Sequence, residues 1–352
     1  MAKDSPLALY RKYRPTTFSE VRGQEAAVRI LEGAIAKGAV AHAYLFSGTR
    51  GTGKTSIARI FAAALGVTSE DLYEIDAASN RGIDDIRELR SAVFVLPFAS
   101  PYKLYIIDEA HMLTKEAWNA LLKTLEEPPQ HVLFILATTE IEKVPDTILS
   151  RCQTISFQTP ALTVVRDLIV DVATQEKVKL EAGAADLIAR AADGSFRDAL
   201  GVLQKVLVAT NDTNVTVNEV AQITGAPRGE RVRMLVDRLL HADGQGTFEQ
   251  IEMLRAEGTA PVLAIELVLA FVRATLLIRL APSMSTLIEG SVSADDAVLM
   301  RTLAKEALPA CSSFTLAKLL DAAIAAKRSG MPDMALEIAA AAIIEQYSPK
   351  HA

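Results

Sequence analysis

The chain has 352 residues, half of them apolar and only 5% aromatic, and a formal net charge of −6. That length exceeds one ordinary core and suits two or three domains, and the abundance of Ala and Leu favours helix over sheet. The acidic balance argues against coating nucleic acid by bulk charge, and the two cysteines, Cys152 and Cys311, lack partners at metal-ligand spacing and fit a reduced, cytoplasmic setting.

Near the N-terminus no apolar run of signal-peptide length occurs. Tyr10-Arg-Lys-Tyr-Arg-Pro15 is predicted to be extended around its proline. Val28, Ile30, Leu31 and Ile35 give residues 26–37 helical spacing. Short apolar runs then alternate with helix-length segments. Strands are predicted at 43–47, 72–75, 103–108, 132–137 and 154–157, with helices at 53–65, 82–93, 114–126 and 145–150. Such alternation implies a parallel sheet covered on both faces.

After Pro160 strands are expected to disappear. Helices are predicted at 163–175, 184–192, 196–209 and 216–223, a turn cluster at 210–214, and five or six helices from Arg228 to Gln346. The expected division is 1–159 α/β, 160–225 small helical and 226–352 all-helical. The most apolar stretch, 262–281, carries Glu266, Arg273 and Arg279, each costly in a bilayer, and reads as a buried helix rather than a membrane span.

Two segments carry chemistry. Gly48-Thr49-Arg50-Gly51-Thr52-Gly53-Lys54-Thr55, followed by Ser56, matches the phosphate-loop pattern between a predicted strand and a predicted helix. Glycines let backbone N–H groups turn inward around a phosphate, and the helix N-terminus adds a favourable dipole. Lys54 would reach the β- and γ-phosphates, and the Thr55 hydroxyl would bind Mg2+. The second is Leu104-Tyr-Ile-Ile-Asp108-Glu109-Ala-His111, an apolar strand ending in two acids at the crevice edge of a parallel sheet. Asp108 would hold Mg2+ and Glu109 would polarise the attacking water of ATP hydrolysis. His111 reads as structural, with a coupling of this strand to the next helix as the other reading.

These residues resemble the AAA+ ATPases, and among them the clamp-loader group. Tyr13-Arg14-Pro15, Phe18, Val21 and Gly23-Gln24 look like the family's adenine-side box. His42 to Gly48, Glu74 to Ser79, Asp108 to His111, Asn119 to Pro129, Leu136 to Thr139, Ser150-Arg151-Cys152 and Gly194 to Leu200 follow in family order. The resemblance covers roughly 10–200 and implies a RecA-like parallel-sheet domain, a three-helix lid and an all-α collar. It implies that Arg151 is an arginine finger acting in trans, that Thr139 is sensor 1, and that Arg197 on the lid is sensor 2. Its implied partners are delta, delta prime and further copies of this chain, a sliding clamp and primed DNA, with no membrane. Asn80, Arg81 and Arg87, around the start of helix 82–93, are the DNA-phosphate candidates, although Asp84 lies within salt-bridge reach of Arg87.

Two departures stand out. Bacterial members of this group usually carry a cysteine-rich zinc module after the phosphate-loop helix, whereas only Leu65 to Asp71 spans that gap here, so no zinc is expected. The chain also stops near the close of the third domain, as a short form or truncation would. The helix holding Leu263, Leu267, Leu269, Phe271, Leu276, Leu277 and Ile278 is apolar nearly all round, hence deeply buried or shared between subunits. Two other readings stay open. Branch-migration helicases share the loop and finger but usually carry a winged-helix DNA reader. A structural subunit like delta prime does not need Lys54, Thr55 and Asp108 together.

Overall fold

A computed structural model describes residues 7–80, 82–181, 183–210, 213–227, 229–289, 292, 294–328 and 331–348. They gather into two compact units, Met1–Leu168 with Ala192–Gly201, and Ile169–Ala191 with Val202–Ala352.

The first unit holds α1 (Leu9–Lys12), α2 (Glu25–Ala36), β1 (Ala43–Ser47), α3 (Lys54–Ala64), β2 (Leu72–Asp76), α4 (Ile83–Val93), β3 (Lys103–Asp108), α5 (Lys115–Glu126), β4 (Val132–Thr138), α6 (Asp146–Leu149) and β5 (Gln153–Ser156). The five strands form one all-parallel sheet in the order β2-β3-β4-β1-β5. Side chains alternate between its faces. Leu45, Tyr105, Ile107, Phe134 and Leu136 meet α4 and α5 on one face, while Tyr44, Phe46, Leu104, Ile106 and Ile135 meet α2 and α3 on the other. Both faces are covered, so the central strands read as continuous apolar runs. The order places the C-terminal ends of β1, β3 and β4 side by side, where the two chemistry-bearing segments begin.

One expectation at this end is corrected. Tyr10 to Lys12 lie in α1, not in an extended segment. The restriction imposed by a proline acts only on the residue before it, here Arg14, and leaves the preceding turn free to coil.

Buried Asp71, just ahead of β2, pins the connection from α4 to β3. Its carboxylate accepts the N–H groups of Phe98, Ala99 and Ser100 at 2.6, 2.9 and 2.8 Å. Burial alone would push this carboxyl up, but those donors outweigh it and draw the pKa from 3.8 down to about 2. A depressed carboxyl stabilises the fold above its unfolded pKa and loses that contribution as pH falls through the folded one. The parent's thermal midpoint should therefore exceed that of Asp71→Asn near neutrality, with the gap closing between pH 4 and pH 2. A gap constant over that range would remove this account.

In the chain beyond the sheet lie α7 (Leu162–Gln175), β6 (Lys179–Leu180), α8 (Ala184–Ala191), α9 (Phe196–Ala209), β7 (Asn214–Val215) and α10 (Val217–Thr224). Strands therefore persist past Pro160. β6 and β7 pair in parallel within the second unit, but two-residue strands show no period in sequence. Then follow α11 (Gly229–Leu240), α12 (Gly244–Ala256), α13 (Pro261–Leu280), α14 (Ser285–Glu289), α15 (Ala294–Glu306), α16 (Ser313–Arg328) and α17 (Pro332–Tyr347), seven helices among the described residues where five or six were expected.

α13 is long and apolar enough to cross a membrane by length and composition. Its side chains Ile265, Val268, Phe271, Val272 and Leu276 form the middle of the second unit's core, and Glu266 pairs with Lys327 at 3.0 Å. It is the core helix of this unit. Exposed apolar side chains of this unit include Leu280 at the last residue of α13, Leu320 and Ile324 on α16, and Met334 and Ile338 on α17.

Candidate functional site

β1 ends at Ser47 and α3 starts at Lys54, so the intervening loop must reverse within six residues. Gly51 sits at φ +76°, and a Cβ there would fall 1.9 Å from Ser195 Oγ. Glycine thus lets the 195–196 segment close on the loop, where the Phe196 N–H donates to the Gly51 carbonyl at 3.1 Å. Gly53 adopts φ +102° as the residue capping α3, with nothing within 4 Å of a would-be Cβ. Here the left-handed backbone alone requires glycine, and the space at the helix N-terminus stays open for an anion.

Lys54 Nζ folds over this loop and donates to the Gly48 and Thr49 carbonyls at 2.7 and 2.9 Å. Burial pushes its pKa down, opposed by the charges of Glu109 and Asp108. An ammonium so placed gains from any anion that enters. Gln24 holds the loop from behind. Its amide donates to the Thr52 carbonyl at 3.3 Å and the Gln158 carbonyl at 2.8 Å, and accepts the Gln158 N–H at 3.1 Å. Sequence reading named Gln24 only as part of a motif. Its role depends on a partner 134 positions away.

At the end of β3, Asp108 Oδ2 accepts the Thr55 hydroxyl at 2.7 Å, and Asp108 Oδ1 accepts the Glu109 N–H at 3.0 Å. Glu109 holds φ +49°, a left-handed backbone uncommon for a side chain of this kind and a form of strain that collects at functional sites. Its Oε2 accepts the Thr139 hydroxyl from the end of β4 at 3.3 Å. The strand order therefore brings Lys54, Thr55, Asp108, Glu109 and Thr139 together.

The remaining candidates fall in several places. Arg14 Nε donates to Ser56 Oγ at 2.9 Å, beside the first turn of α3. Burial pushes the Arg14 pKa down, as does Arg59, against Glu74 and Asp108. Tyr13 carries the Lys12 ammonium 5.3 Å over its ring, and Val21 packs against the sheet core. Thr49 and Arg50 are exposed at the loop tip. The Arg197 guanidinium lies 5.0 Å over the Tyr10 ring. Arg151 donates to Glu126 at 2.7 Å and to the Thr147 carbonyl at 2.7 Å. Asn80 turns its amide back onto the Asp76 carbonyl at 3.1 Å, and Arg87 pairs with Asp84 at 3.0 Å. The first turn of α4 also holds Asp84 and Asp85, whose charges oppose a phosphate there. Arg81 lies outside the described residues.

Mg2+ takes hard oxygen ligands and usually keeps waters and substrate phosphates alongside one or two carboxylates. A Thr hydroxyl joined to an Asp carboxylate fits that description. A site of this type needs no cluster of three His, Cys, Asp or Glu, and none occurs among the described residues.

The "DNA polymerase III, delta subunit" family model matches residues 23–80 and 67–161, and the "DNA polymerase III clamp loader subunit, ATPase lid domain" model matches 164–211. The DNA polymerase III subunit tau of Bacillus subtilis is 41% identical over 303 residues, which cover 80% of this chain and 54% of that protein. The chain belongs to the DNA polymerase III gamma/tau family. The tau subunit of Escherichia coli K12 is 39% identical over 78% of this chain and 46% of its own length. The gamma/tau subunit of Mycobacterium tuberculosis H37Rv is 41% identical over 72% and 48%. This gamma/tau-family chain thus spans about half the length of the curated relatives it matches.

Among solved structures, the Thermotoga maritima RuvB Holliday junction branch migration motor aligns with 65% of this chain and 79% of its own, at a TM-score of 0.52 and 22% identity. At that identity the likeness is one of fold. The gamma/tau-family chain has the parallel-sheet α/β fold of the AAA+ proteins, a nucleotide-binding fold.

Proposed function

We propose that this chain is the ATP-hydrolysing motor subunit of a sliding-clamp loader, at work in DNA replication in the cytoplasm. One observation carries the reading: a buried lysine, a hydroxyl–carboxylate pair and a second carboxylate converge at one sheet edge over an open helix N-terminus. Lys54 and the loop amides bind the triphosphate, and Thr55 and Asp108 hold Mg2+, which supplies charge neutralisation on the phosphates. Glu109 takes a proton from the attacking water while Thr139 orients its carboxylate. No zinc is assigned.

Arg151 acts on ATP held by a neighbouring copy, and its half-buried position between Glu126 and Ser150, still open to solvent, supports that role. Arg197 on the lid contacts the phosphates after leaving Tyr10. Delta, delta prime and further copies of this chain complete the assembly through the collar, 226–352, and the lid is 160–225. The exposed Leu320, Ile324, Met334 and Ile338 support the collar as the shared surface. Phe94, Leu96 and Phe98, exposed by 66, 73 and 85% on the connection pinned by Asp71, support a further protein partner, the clamp. Primed DNA is the remaining partner.

The test is ATP turnover by the chain alone and with delta, delta prime, sliding clamp and primed DNA, repeated for Arg197→Ala. Strong joint stimulation by clamp and primed DNA is expected, with Arg197→Ala losing preference for ATP over ADP. Stimulation by a branched junction instead would favour a helicase. Turnover indifferent to clamp and primer would end the loader reading.

A further inference from the structure

His111 was read from sequence as a structural residue, but its surroundings give it a share in the chemistry. Its side chain is only 7% exposed, against 35% for Glu109 and 38% for Glu140. Nε2 lies 3.2 Å from Glu140 Oε1. A carboxylate accepts and never donates, so Nε2 carries a ring proton. Lys143 bonds to Glu140 and holds its carboxyl below the usual range, which keeps it an acceptor.

Nδ1 stands 3.1 Å from Thr138 Oγ1. That oxygen also accepts the Glu140 N–H at 3.0 Å. The Thr138 carbonyl in turn accepts the N–H of Gly48, the first glycine of the phosphate loop, at 3.2 Å. Both nitrogens of one buried ring therefore grip the Thr138–Glu140 turn from its two ends. Between them sits Thr139, whose hydroxyl reaches Glu109 Oε2 at 3.3 Å. Glu109 Oε2 itself lies 3.6 Å from Nδ1.

We infer that His111 is a positioning residue for hydrolysis: it fixes the Thr138–Glu140 turn so that Thr139 and Glu109 stay in register with each other and with the phosphate loop. The inference rests on the ATPase reading above. Its effect falls on the chemical step and not on nucleotide binding, because the ring touches neither Lys54 nor Thr55. Misplacing a catalytic group by about 1 Å costs on the order of a hundredfold in rate, so a smaller displacement is expected to cost about tenfold.

The experiment uses the assembled loader with clamp and primed DNA. Turnover and equilibrium ATP affinity are measured for the parent, His111→Ala, His111→Asn, Thr138→Val and Glu109→Gln. His111→Ala and Thr138→Val should lower kcat by about tenfold or more, with ATP affinity held within about twofold. His111→Asn keeps a hydrogen-bonding group where Nδ1 stood and should recover much of the loss. Thr138→Val keeps shape and carbonyl, so it speaks to the same contact even if the alanine variant folds poorly. The inference is overturned if His111→Ala turns over at the parent rate, if affinity and thermal midpoint fall in step with kcat, or if asparagine rescues nothing. Should Glu109→Gln hydrolyse ATP like the parent, Glu109 is not the base and this inference fails with it; should the parent assembly itself turn over no ATP, it is the ATPase reading that fails.

Discussion

Lys54→Ala should reduce ATP affinity by about a hundredfold or more while leaving the fold intact. Charge-assisted hydrogen bonds to phosphate contribute roughly 1.5–3 kcal/mol each, and an ammonium makes at least two such bonds to a triphosphate. Two of them give about 3 kcal/mol at the lower bound, a factor of more than a hundred. The same ammonium spans the Gly48 and Thr49 carbonyls in a buried position. Its removal relieves a desolvated charge as well as deleting two bonds, so the thermal midpoint should move little. Calorimetric titration with a non-hydrolysable ATP analogue, together with a melting curve, reads both quantities. Parent-like affinity in a folded variant would refute the loop assignment.

Arg151→Ala should lower turnover of the assembled complex by about a thousandfold, the low end of what an arginine finger contributes. ATP affinity at each site should stay within a few-fold, because the finger stabilises charge that develops only in the transition state. The guanidinium is held by Glu126 in a pair whose members are 34% and 46% exposed. Exposed pairs of this kind contribute about 0–1 kcal/mol, which a bidentate contact to a phosphate exceeds. The finger is therefore parked rather than locked, and Glu126→Gln should leave turnover within about twofold. Single-turnover kinetics on complexes mixing parent and variant copies decide the direction of action. An equal loss in the isolated chain would place Arg151 in its own site and sink the trans role.

The first prediction rests on residues legible in the sequence, because their meaning is local, whereas the role of Arg151 came from the family resemblance. From Gly48 to Thr55 the glycines, the lysine and the hydroxyl stand in one contiguous stretch, and the strand before and the helix after follow from apolar period alone. Asp108 and Glu109 were found the same way, at the end of an apolar run. What the sequence misread was equally local. The four-residue α1 is too short to show a helical period, and the two-residue β6 and β7 too short to show alternation.

The amino-acid sequence by itself determined the parallel α/β class, the phosphate loop and the identity of the acids. Each of those depends on neighbours within a few residues or on a period. The tertiary structure alone decided which distant groups meet: Gln24 with Gln158, Thr55 with Asp108 across 53 positions, and His111 with Thr138 and Glu140. Strand order sets those meetings. Nothing in a linear pattern states which strand ends will lie side by side once both faces of a sheet are buried.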